Sequence, residues 1–182
     1  MTDHPIAPEF SRTILADKVG TDEAVQTIKA KPDECRKLAE RLDLQSLENL
    51  SATVRLKRIR GAKMIRVAGH LEADVVQTCV VTLEPVANHV SEEFETIFAP
   101  SHLIPEASAE VEIDPDAEEP PEPLVDNRID IGELTTQHLS LALDPYPRCP
   151  GIDFEDHIEE EEEAPVERPS PFLALAKLKR PD

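Results

Sequence analysis

Three cysteines, six histidines and 38 carboxylates are the groups in this 182-residue chain that could do chemistry, so their spacing is the first question. Cys79 stands in the most patterned stretch, ADVVQTCVVTLEPVANHVSEEFETIFAP, residues 73–100. A structural zinc site needs about four ligands at short spacings. No second cysteine or histidine stands at ligand spacing from Cys79, and position 82 is Thr. Cys79, Cys149 and a histidine such as His89 could be gathered only by the fold. Cys35 lies on an apolar helical stripe and reads as a small buried residue. His138 reads as a partly buried residue on a helix face rather than a base. The chain has no Gly-rich phosphate loop, no GxSxG and no HExxH. The expectation is therefore a protein without catalytic residues, metal or cofactor, and not an enzyme.

The strongest physical feature is VRLKRIRGAKMIR, residues 54–66. Arg55, Lys57, Arg58, Arg60, Lys63 and Arg66 place six of the 19 basic residues within 12 positions. On two strands joined by a turn they would form a positive ribbon able to contact phosphates, with affinity drawn largely from counterion release. Two blander readings compete. Basic residues also protect the edges of sheets from aggregation, and this ribbon could pair with the chain's own acids. Stacking aromatics, usual in readers of single-stranded RNA, are absent nearby.

The net charge of −19 does not argue against such a ribbon, because it is unevenly spread. Residues 1–104 carry 13 Lys and Arg against 16 Asp and Glu, residues 105–167 carry 2 against 21, and residues 168–182 carry 4 against 1. The acidity belongs to one stretch, and the amino-terminal part is nearly neutral.

The elements that must position these residues follow from periodicity. Residues 9–14 and 25–30 read as short strands. Pro32, Asp33 and Glu34 suit a helix start, where proline costs no bond and acids meet the positive end of the dipole. Cys35, Leu38, Ala39 and Leu42 then give the stripe of a helix over 32–42. From residue 50 to 98 the period changes to two. Ala52, Val54 and Leu56 share one face, Gly61-Ala62-Lys63 makes a turn, and residues 64–68 return. Gly69 reads as a bulge. Leu71, Ala73, Val75, Gln77, Cys79, Val81 and Leu83 follow on one face, residues 85–88 form a turn, and Val90, Phe94 and Phe98 line the returning strand. With 3 % aromatics and no Trp, the core must be built from aliphatics and five Phe.

Residues 105–126 hold five prolines, nine acids and no Lys or Arg, too little apolar surface to fold alone. Order resumes with a short strand at 127–131. Asp130 and Glu133 then match a capping box for a helix over 132–143, with Leu134, His138 and Leu141 on one side. Glu159 to Glu163 is a run of like charge, and SPFLALAKLKR ends the chain in an amphipathic segment. The division expected is 9–104, main sheet and first helix; 105–126, acidic linker; 127–150, strand and helix packing back; 151–182, acidic tail with a short amphipathic end. The fold class is α+β, an antiparallel meander covered by two helices, with barrel-like curling as one option.

Several of these pieces, in this order, resemble one family. TCVVTLEPVANHVSEEFETIF, with Cys79, Leu83, Pro85 and Val86, is similar to the central signature of the YceD family, the large ribosomal RNA subunit accumulation proteins. Thr82 stands where a second cysteine is often found. ECRKLAERLDL, IDIGELTTQHLSLALDPYP and SPFLALAKLK fit as well, so the resemblance spans most of residues 9–179. It implies a role in synthesis, processing or stability of large-subunit ribosomal RNA, without a catalytic residue. It also implies structural roles for the signature, with Cys79 and Leu83 in the core and Pro85 and Val86 at the turn. The partners expected are that RNA or its precursor, and ribosomal or processing proteins, with no small-molecule substrate. A protein-binding adaptor, addressing basic proteins through its acidic segments, is the competing class. The chain has no apolar run of about 20 residues. Its first residues lack a basic region followed by an apolar one, and its cysteines are sparse and odd in number. Together these point to a cytoplasmic location and no membrane.

Overall fold

The computed structural model describes residues 8–61, 63–104 and 120–151. The acidic stretch at 105–119, Ala62 in the first turn, the run of glutamates and the Phe172 segment lie outside the described residues.

The architecture is α+β. Strands β1 (Thr13–Leu15), β2 (Ala24–Lys29), β3 (Ser46–Ile59), β4 (Met64–Thr78), β5 (Pro85–Ala99), β6 (Glu122–Pro123) and β7 (Arg128–Asp130) accompany helices α1 (Pro32–Arg41) and α2 (Ile131–Ala142). Five strands form a sheet in the order β2-β3-β4-β5-β6, antiparallel except for the parallel β5–β6 pair. The sheet is open, with β2 and β6 at its edges, so the barrel option is overturned. The first strand also shifts: β1 starts at Thr13 and leaves the main sheet to pair with β7.

Alternation decides which face is covered. Ala52, Val54 and Leu56 of β3, Ile65, Val67, Leu71, Ala73 and Val75 of β4, and Val90, Phe94 and Phe98 of β5 are all buried. Cross-strand pairs such as Leu56 with Val67 and Ile65 with Phe98 put them on one face. α1 packs against β3 through Cys35, Leu38 and Ala39, and α2 packs against β5. Leu38 and Leu50 are wholly buried, contributing about 1.5–3 kcal/mol each. The opposite face carries mostly polar residues.

The bulge falls at Asn49 and Leu50, between the pairs Glu48–Asp74 and Ser51–Glu72, rather than at Gly69. Asn49 takes a φ of 54° there, and its amide donates to Asp74 at 2.7 Å. The extra residue lets Leu47 and Leu50 both face the core. Gly69 is instead an ordinary ladder residue under the Phe94 ring, where an added Cβ would sit 2.3 Å from Phe94 Cζ. The turn expected at 85–88 lies earlier: β4 ends at Thr78, and Pro85 and Val86 already pair with Thr78 and Gln77.

Both helix starts fall where the sequence signals put them, but the capping box expected at α2 forms only by half, because the Glu133 carboxylate is held by Arg41 at 2.7 Å. Glu34 accepts from the Lys31 N–H at 2.7 Å and is bridged by Arg12 at 2.9 Å. Asp130 caps α2, accepting from the N–H groups of Gly132 and Glu133 at 3.0 and 3.2 Å, and also from the Arg12 N–H at 2.7 Å. On α2, Leu134 and Leu139 are buried, while Leu141 points to solvent. His138 stacks on Phe94 with ring centroids 4.5 Å apart.

Candidate nucleic-acid interface

The register of β3 and β4 sorts the six basic residues by parity. Arg55 and Lys57 alternate with Val54 and Leu56 and therefore stand on the outward face, exposed. Arg66 lies directly across from Lys57, also outward. Arg60 and Lys63 flank the turn, where Arg60 and Gly61 both take positive φ, 51° and 68°. Arg55, Lys57 and Lys63 make no ion pair with another described residue.

Two of the six depart from the ribbon. Arg58 is in phase with Ala52, Val54 and Leu56, so it turns to the core side. There its Nε donates to the Val19 carbonyl at 2.6 Å and its terminal nitrogen to the Ala16 carbonyl at 2.7 Å. Asp17 lies 3.9 Å away. Arg66 stays outside but is bonded to Glu95 at 2.7 Å, which raises its already high pKa. The cationic surface is thus narrower than the sequence suggested. The edge-protection reading loses ground too, because residues 51–56 of β3 are bonded to β2 on one side and β4 on the other.

Around Cys79 the chain folds into a tight turn. The Cys79 N–H donates to the Glu84 carbonyl at 2.8 Å and the Leu83 N–H to the Cys79 carbonyl at 3.0 Å. Cys79 is buried, as expected. Leu83, expected in the core, is 75 % exposed and takes a φ of 63°. The period of two stops at Thr78, and residues beyond it no longer alternate. Val80 and Val81 are exposed as well, and the Val80 N–H donates to Pro147 O at 2.9 Å, next in sequence to the exposed Tyr146.

The N–H groups of Thr82 and Cys149 both point at the Cys79 sulfur, each at 3.4 Å. The Thr82 hydroxyl, then the Thr82 N–H, with help from the N–H groups of Cys149 and Val81, hold the thiol down to about 6 against the opposing effect of burial. Of the groups that only the fold could gather, Cys149 does reach Cys79. His89 is engaged elsewhere, 2.8 Å from Asp74. Among the described residues, no group of three His, Cys, Asp or Glu side chains is placed to hold a metal ion, and no helix is long and apolar enough to cross a membrane.

Sequence reasoning missed four placements: Arg58 turned inward, Arg66 paired with Glu95, Leu83 exposed, and Cys149 against Cys79. Arg58 had a usable signal, its parity with the buried β3 residues. The approach of Cys149 to Cys79 had none, because it depends on how residues 144–149 return to the β4–β5 turn.

Comparison with curated proteins and with solved structures gives no match in either set. The sequence model of one family, described as large ribosomal RNA subunit accumulation protein YceD, matches residues 67–179. That span begins inside β4, so β1 to β3 and α1 fall outside it, and the match is shorter than the resemblance read over 9–179. It takes in the Cys79 turn, β5, the capped α2 and the terminal SPFLALAKLK, more than half of the chain, and the chain belongs to the YceD family.

Proposed function

We propose that this protein supports the synthesis, processing or stability of large-subunit ribosomal RNA by binding, not by catalysing a reaction. Family membership supplies the connection to large-subunit RNA. The observation that carries direct contact is the outward face of the β3–β4 hairpin, where Arg55, Lys57 and Lys63 stand exposed with no carboxylate paired to them among the described residues. Charges placed this way are available to phosphates and cost little to desolvate. Arg60 is exposed at the adjoining turn. Arg66 joins it only by giving up Glu95, and Arg58 serves the fold.

The test is a salt titration of binding to a large-subunit ribosomal RNA fragment. Changing Arg55, Lys57 and Lys63 to Ala should weaken binding and lower the slope of log K against log salt by about 2–3, since each phosphate contact contributes roughly 0.7–0.9. An unchanged slope and affinity would overturn direct contact through this face.

A second reading, the protein-binding adaptor, is favoured by the apolar tip at the other end of the sheet. Val80, Val81, Leu83 and Tyr146 are all exposed, although large apolar side chains grouped on a surface commonly mark an interaction site. Here the partners would be ribosomal or processing proteins, and the acidic segments would add charge complementarity to basic ones. Ribonuclease treatment of a pull-down separates the readings: partners held through RNA are released, and partners held by protein contacts stay.

A further inference from the structure

We propose that Cys79 and Cys149 are a peroxide-responsive thiol pair, closing to a disulfide that pins residues 144–149 onto the β4–β5 turn. The proposal is independent of how RNA is contacted.

The fold brings the two residues together from 70 positions apart in sequence. The Cys149 backbone N–H reaches the Cys79 sulfur at 3.4 Å, so the second sulfur is one short side chain away. The Cys149 sulfur now sits over the same turn, 3.5 Å from the Thr82 hydroxyl oxygen and 4.0 Å from a Glu84 carboxylate oxygen. Both sulfurs thus meet at Thr82, Cys79 through its N–H and Cys149 through its hydroxyl. The segment carrying Cys149 is already tied down on both sides of the contact, by Pro147 O to the Val80 N–H at 2.9 Å and by Asp144 O to the Gln77 amide at 2.9 Å. A segment anchored this way suits the close, fixed approach that disulfide geometry demands.

Exposure divides the labour. Cys79 is inaccessible to solvent, while Cys149 is half-buried. Cys149 is the sulfur a hydroperoxide can reach. Its thiolate attacks the peroxide, forming an S–O bond as the O–O bond breaks, and one alcohol or water leaves with the proton. Cys79 then attacks the resulting sulfenic sulfur, forming the S–S bond as the S–O bond breaks, and the hydroxyl departs as water. Two electrons pass from the two thiols to the peroxide. The N–H groups converging on Cys79 favour its thiolate and suit it to this second step. Cys35 is an internal control: it lies on the buried face of α1, and desolvation pushes its pKa up.

The experiment treats the full chain with hydrogen peroxide, alkylates the remaining thiols after denaturation, and maps peptides by mass. The expected result is an intramolecular Cys79–Cys149 link, reversed by dithiothreitol, with Cys35 alkylated. Cys149→Ser should abolish the link, and Cys79→Ser should leave a sulfenic acid at Cys149 that dimedone traps. Amide exchange near Val80 should slow in the oxidised protein. Cross-links only between chains, a link using Cys35, or oxidation of Cys149 to sulfinic acid without a link would each overturn the proposal. Cys149→Ser keeps the test decisive if the buried Cys79→Ser variant does not fold.

Discussion

Arg58 separates two meanings of a basic residue on this hairpin, and replacing it with Met tests the distinction. Methionine keeps the length of the apolar stem and removes both charged donors. The guanidinium holds the carbonyls of Val19 and Ala16 at 2.6 and 2.7 Å, tying the short 3-10 turn Ala16–Lys18 and the chain after it to β3. A hydrogen bond from a charged donor contributes about 1.5–3 kcal/mol. Two are lost, but the Arg58 side chain is 22 % exposed, so water can replace part of what is removed. The net expectation is roughly 2–4 kcal/mol of lost stability, mostly from the Val19 carbonyl left without its donor, since the Ala16 carbonyl keeps the Val19 N–H at 3.1 Å. Asp17 adds little, since it is largely exposed and 3.9 Å away. Urea unfolding followed by circular dichroism reads the effect as a lower midpoint at constant slope. Arg55→Ala and Lys57→Ala, on the outward face, should stay within about 0.5 kcal/mol of the parent. If Arg58→Met is equally silent, or Lys57→Ala costs as much, the assignment of inward and outward roles by strand parity is wrong.

Two further outcomes follow from the same geometry. Gly69→Ala would push a methyl into the Phe94 ring, which is buried and stacked on His138, so it should cost about 1–3 kcal/mol in urea unfolding, and adding Phe94→Leu should recover part of it. Glu34 has its pKa lowered, first by the hydrogen bond from Arg12, from an ordinary value of 4.5. A depressed folded pKa means its contribution is present above pH 4.5 and lost as pH falls through the folded value. Stability measured below pH 4.5 should therefore fall less steeply in Glu34→Gln than in the parent, and parallel acid limbs would count against the Arg12–Glu34 bridge as a source of stability.

Strong periodicity was legible in the sequence. Ala52, Val54 and Leu56, and later Val90, Phe94 and Phe98, share the faces their spacing dictates, because burying one side of a sheet enforces a period of two. Pro32 and Asp130 mark helix starts through local backbone chemistry, which needs no tertiary information. What failed lies where that local logic ends. Leu83 continues the alternation on paper, yet the chain leaves its strand after Thr78 and Leu83 enters a left-handed turn. Gly69 reads as a bulge because glycine often marks one, but here the missing side chain makes room for an aromatic ring from the next strand. At the candidate interface the composition of the ribbon was visible, and so was the parity of Arg58. The pairing of Arg66 with Glu95 was not, since it requires the register between β4 and β5.

The two-stranded ribbon of β1 and β7 also sets an order of events during synthesis. Thr13, Ile14 and Leu15 emerge early from the ribosome, but their partners Asp130, Ile129 and Arg128 are made only after the whole five-stranded sheet has been translated. Until then Phe10, wholly buried in the finished molecule against the α2 start at Gly132, has nowhere to go. Closing so long a loop delays the final docking step and leaves apolar surface uncovered meanwhile. A nascent chain stalled before residue 128 should thus carry a formed hairpin and an unpaired β1 segment, and loss of protease sensitivity near Ile14 would mark the moment the last strand arrives.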